Sequence, residues 1–134
     1  MSKNQVFAGS SPALSLPVPA GTRSGDPVKV GGQIGVADTD RTEVVNGKQY
    51  GGVGHPDGYA AVAPDGTYAL PVADAVNAAE TPIYISGAGP FTLTTTAEGN
   101  TLFGHTVPVI QRGVATGATK AAGAGTVNVR LVRI

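Results

Sequence analysis

Residues 125–134 read GTVNVRLVRI, and their alternation decides the fold class. Val127, Val129 and Leu131 fall on one side of an extended chain, with Asn128 and Arg130 on the other. Side chains of a strand alternate between faces, so a period of two marks a half-buried strand, whereas a helix repeats about every 3.6 residues. Such a strand needs neighbours to pair with, and the sequence before it supplies them.

Upstream, short runs rich in Val, Thr and Ala are separated by turn residues. The segment 25–38, GDPVKVGGQIGVAD, reads as strands over 28–30 and 33–37 around Gly31-Gly32, a pair suited to the positive φ angles of a tight hairpin. Asn46-Gly47 is a second two-residue hairpin signal. Pro-Asp-Gly recurs at 56–58 and 64–66. In such turns proline presets φ, aspartate bonds the adjacent backbone and glycine takes the left-handed position. The stretches 59–63 and 67–72 around the second of these turns are expected to pair. Further strands are expected over 83–86 and 91–95, with a turn at Glu98-Gly99-Asn100. Another runs from 101 towards Ile110, where Pro108 marks an edge or a bulge. VADAVNAAE at 72–80, with Pro71 before it and Pro82 after it, suits two turns of helix. The expected fold is mostly β: a small single-domain barrel or sandwich of about eight short strands, with at most one short helix.

Composition bounds the size and strength of this domain. The 134 residues fit one core. Hydrophobic residues make up 41% of the chain, yet Ala and Val dominate them, and there are only three Phe and no Trp. Burial stabilises by about 25 cal/mol per Å² of apolar area, so a core of small side chains is weak per residue and gains from self-association. Charged residues are 13% of the chain, nine basic and nine acidic, scattered rather than clustered. No basic stripe is available to a phosphate backbone, so nucleic acid is not an expected partner. No stretch approaches the roughly 18 apolar residues of a spanning helix, so no membrane partner is expected. Ser and Pro interrupt every apolar run near the start, which therefore does not read as a signal peptide, and synthesis in the cytoplasm is expected. The chain has no cysteine, which excludes disulfides, thiolate catalysis and Cys-ligated metal.

Reactive constellations are sparse. His55 in GGVGHPDG and His105 in LFGHTVP read as surface or turn residues, because no third histidine and no H-x-x-x-H spacing accompanies them. No serine lies in a G-x-S-x-G elbow, and Asp57 reads as a local cap beyond Pro56. GVATGATKAAG at 113–123 lacks the Gly-Lys step of a phosphate loop and reads as a flexible small-residue loop before the last strand. Asp38, Asp40 and Glu43 lack the glycine and the closing bidentate glutamate of a calcium loop, and read as a solvated segment. No catalytic residue, cofactor or metal ligand is expected.

Residues 1–24 are rich in Ser, Pro and Ala, with Pro12, Pro17 and Pro19 fixing φ and removing donors. They read as an extended N-terminal arm, followed by a β-rich domain over 25–134. The ordered segments SGDPVKVGGQIGVADTD at 24–40, DGTYALPV at 65–72, TPIYIS at 81–86, TLFGHTVP at 101–108 and GTVNVRLVRI at 125–134 resemble the DUF2190 family, the capsid cement or head decoration proteins of tailed phages. Their order and spacing carry the resemblance. The stretch GKQYGGVGHPDGYAAV at 47–62 departs from the pattern, as does Ile85, where an aromatic would follow Tyr84. The resemblance implies a virion protein on the outer capsid surface. Its partners would be the major capsid protein and itself, as a homotrimer at threefold or quasi-threefold sites. Phe7, Leu14, Leu16 and Val18, on the unpaired arm, are then the candidate capsid contacts, adding a strand to a capsid-protein edge. The alternative is a β-rich adhesion or carbohydrate-binding module of a phage tail or cell surface, disfavoured by the shortage of aromatics for stacking on sugars. A small enzyme comes last.

Overall fold

The computed structural model describes residues 13–51 and 54–132. Among these the chain forms thirteen strands and no helix. The first six are β1 (Leu14–Pro17), β2 (Pro27–Val30), β3 (Gln33–Ala37), β4 (Glu43–Val45), β5 (Lys48–Tyr50) and β6 (Tyr59–Ala63). Then come β7 (Thr67–Pro71), β8 (Pro82–Ile85), β9 (Leu93–Thr94), β10 (Thr101–Thr106), β11 (Val109–Gln111), β12 (Val114–Thr116) and β13 (Thr126–Leu131). Two antiparallel sheets carry the fold, in the orders β1-β6-β3-β2 and β7-β13-β10-β8-β9. The pairs β4–β5 and β11–β12 are separate two-stranded hairpins.

The alternating C-terminal strand lies inside the larger sheet, between β7 and β10. Val127, Val129 and Leu131 are buried there, and Arg130 is exposed. They join Leu70, Ile83, Ile85, Leu93 and the fully buried Phe103 in the main core. Ile34 and Val36 of β3 reach this core from the smaller sheet, while Val18, Val28, Ala60 and Val62 form a second cluster. Strand β3 therefore has apolar contacts on both faces, and residues 34–37 are all buried. That is the behaviour of a strand walled in on two sides. Gly35 makes this possible, because a Cβ there would stand 2.6 Å from both the Ala63 carbonyl oxygen and Val62 Cγ1. Gly104 plays the same part at the irregularity in β10, where a Cβ would overlap the Arg130 carbonyl.

The hairpin signals act as expected, with one refinement. Asn46 and Gly47 both take positive φ, 50° and 80°, which is the type I′ pattern. In the 31–32 turn only Gly31 does, at 60°, which matches type II′.

Several expectations are corrected. Residues 72–80 form no helix: Val76 pairs its backbone with Lys120 in both directions at 2.9 Å. The Ala78 carbonyl accepts from the hydroxyls of Thr81 and Thr106. Tertiary partners thus take the backbone groups a helix would use. Strands β6 and β7 do not pair with each other, because β6 is already flanked by β1 and β3 while β7 pairs with β13. The 64–66 turn is a crossover between sheets. The strand expected to run to Ile110 ends at Thr106, and after Pro108 the chain starts the separate hairpin β11–β12. Residues 14–17 are not an unpaired arm: β1 pairs with β6 over Leu14↔Val62 to Pro17↔Tyr59.

Candidate functional site

The proposed contacts on the arm separate into three groups. Phe7 lies outside the described residues. Leu14 and Leu16 are half-buried on β1, and Leu16 packs against the second core cluster. Val18, at 7% exposure, belongs to that cluster and is unavailable to a partner. The outer edge of β1 has no partner strand among the described residues, since β1 ends the sheet order.

Behind β1 a polar clamp holds residues 18–23 to the β4–β5 hairpin. Glu43 accepts from Arg23 Nη1 at 2.6 Å and from Arg41 Nη1 at 2.8 Å, and also from the Gly21 amide. Arg41 Nε donates to the Val18 carbonyl at 3.0 Å, and the Arg23 guanidinium stacks 3.6 Å from the centre of the Tyr50 ring. The hydrogen bonds from Arg23 and then Arg41 hold the Glu43 carboxyl below the usual carboxylate range. Asp40, by contrast, accepts from the Ser24 amide. Among the described residues no three acids or histidines converge on a point where a metal could sit. Asp38 is exposed and Asp40 half-buried, while Thr42 is buried, so the segment 37–43 is solvated only in part. Glu43 is instead a structural anchor.

The fold brings Ser15 Oγ within 2.7 Å of His55 Nδ1, a meeting across 40 residues that spacing alone does not reveal. Nucleophilic catalysis needs the imidazole oriented by a third group. No carboxylate bonds this ring among the described residues, and the pair lies on the surface. It fastens the loop before β6 to the edge strand.

Asp74 and Lys120 join the loops around the larger sheet. Asp74 accepts from the Thr94 hydroxyl at 2.6 Å and the Thr95 amide at 2.9 Å, and these bonds hold its carboxyl below the ordinary value. The Lys120 ammonium donates to three carbonyls, those of Asp74, Ala121 and Gly123. The supposed flexible loop is therefore tied at this point.

Two surface features stand out among the described residues. One is a cleft of about 580 Å³, walled by segments 19–22, 71–73, 90–93 and 123–125, with Phe91 and several prolines making it apolar and Asp26 at its rim. The other is the hairpin β11–β12, whose six strand residues are all exposed. Ile110 is 68% and Val114 60% exposed. The sequence signal for this hairpin was faint. Its turn is Arg112-Gly113, with φ of 52° and 78°, and arginine is not among the residues usually found left-handed. Val44, 64% exposed on the β4–β5 hairpin, is a smaller projection of the same kind. Comparison with protein-family models, with curated proteins and with solved structures finds no match.

Proposed function

We propose that the chain is a structural virion protein that binds the outer surface of the major capsid protein lattice of a phage head and cements it, acting together with further copies of itself as a homotrimer at threefold or quasi-threefold sites. The observation that carries this reading is the outward placement of large apolar side chains on two hairpins that stand apart from both sheets. Large apolar side chains exposed on projecting hairpins suit an interaction surface, and here they belong to a chain of zero formal net charge with little charge for long-range steering. Affinity then comes from apolar contact, the open sheet edges of β1 and β2, and avidity over a repeating lattice. The ordered segments at 24–40, 65–72, 81–86, 101–108 and 125–134 support the same reading.

The test is to mix the purified chain with undecorated mature heads and image them. Regular density at symmetry-related positions is the expected result; bare, intact shells would overturn the proposal. A role for the segment before β1 is tested by deleting residues 2–12. A longer deletion, to residue 20, also removes β1 and Val18 and so confuses docking with folding. Shells that stay fully occupied by the shorter variant would remove Phe7 from the contact surface.

A further inference from the structure

Hairpin β11–β12 pairs with no other strand among the described residues. A lone two-stranded hairpin is marginally stable in water, so an apolar one exposed on both faces calls for a surface to lie on. Its register says what it presents. Ile110 stands opposite Ala115, so on that face a single large side chain projects beside a methyl group. Arg112 at the tip is exposed and makes no ion pair or hydrogen bond among the described residues.

The same molecule carries a matching recess. The cleft between segments 19–22, 71–73, 90–93 and 123–125 is apolar and, at about 580 Å³, has room for several side chains. None of residues 109–116 lines it, so the chain does not fill it with its own hairpin. At the rim, exposed Asp26 accepts from the Arg23 amide through Oδ2 and forms no ion pair among the described residues. Projection and recess are thus both apolar, and among the described residues a cation without an ion pair sits on one and a carboxylate without an ion pair on the other.

We infer that the β11–β12 hairpin of one copy of this chain seats in the cleft of a second copy, with Ile110 entering beside Phe91 and Arg112 facing Asp26. Two different patches make this contact, so it is heterologous, and it closes into a ring where the rotation between successive copies divides a full turn. The inference deepens the self-association part of the proposed function but rests on surfaces of the free chain. Measured without capsids, its failure leaves head binding untouched, and bare shells leave it untouched in turn.

The experiment measures molar mass by light scattering and sedimentation on the full chain, Ile110→Asp and Ala73→Arg. Ala73 is an exposed cleft residue whose side chain can grow into the recess. The wild type is expected to be oligomeric, and each variant to have its association weakened at least about ten-fold. Mixing the two variants should yield a two-chain species and nothing larger, because one keeps an intact cleft and the other an intact hairpin. Circular dichroism confirms that both are folded, and Arg112→Glu, on an exposed turn, gives a milder, salt-dependent weakening if either is not. A wild type that stays monomeric, variants that keep its mass, or a folded mixture that stays monomeric would each overturn the inference. Loss of head binding by Ile110→Asp from a monomeric wild type would assign the hairpin to the coat protein instead.

Discussion

The two sheets are held by different means. The five-stranded sheet buries large side chains, Phe103, Leu70, Ile83 and Ile85 among them, and its neighbours pack valines around these. The buried members of the second cluster, by contrast, are Val18, Val28, Ala60 and Val62, none larger than valine. What that cluster lacks in apolar area is offset by close backbone approach at Gly35 and by the Arg23–Glu43–Arg41 clamp. One region is secured mainly by burial, which itself depends little on pH. The other depends in part on charges at the surface, which are sensitive to pH and to salt.

The largest expected effect breaks the burial-secured half. Phe103→Ala should cost about 3–5 kcal/mol in a urea unfolding series, while Val62→Ala in the second cluster should cost roughly 2 kcal/mol. Equal losses would mean that the two clusters do not differ as described. Next comes Gly35→Ala, whose new methyl group would press on β6; overpacking of this kind costs about 1–3 kcal/mol. A neutral result at Gly35 would show that β6 yields easily.

A smaller effect sharpens the comparison through pH. Glu43 and Asp74 have carboxyl groups held below their ordinary values in the folded chain. A depressed carboxyl contributes stability that is present above the unfolded value, near pH 4, and is lost as pH falls through the lower folded value. Unfolding midpoints should therefore be level from about pH 7 to 5 and fall in acid. Glu43→Gln should flatten part of that fall, and added salt should mimic it weakly, because the clamp is at the surface. An unchanged acid limb in this variant would remove the clamp from the account. The smallest effect is Ile110→Asp, expected to shift stability by no more than about 0.5 kcal/mol under conditions where the chain is monomeric. A large loss there would mean that the hairpin packs on its own domain.

Much of the fold is readable along the chain where information is local. Asn46-Gly47 and Gly31-Gly32 each join two strands at the expected residues, and Val127, Val129 and Leu131 take the buried face their spacing predicts. The failures share a cause. The 64–66 turn, correctly placed, does not say whether its strands pair or part, since the outcome depends on β1, β3 and β13 competing for their edges. Residues 72–80 are compatible with a helix until Lys120 and Thr106 claim their backbone groups. Of the candidate contacts, Leu14, Leu16 and Val18 read as a free apolar run because the partner strand is more than 40 residues away. The β11–β12 hairpin carries no familiar turn signal, because its turn begins with arginine.

By itself, then, the order of residues determined a mostly β chain with most of its turns, the absence of cysteine chemistry, and a core of small side chains. Only the tertiary structure decided which strands became neighbours, which apolar residues were consumed inside, and which were left facing outward at Ile110 and Val114. Turns and alternation depend on a residue and its near neighbours, whereas pairing and burial depend on competition among segments far apart in the chain. That competition is resolved only when the whole domain closes.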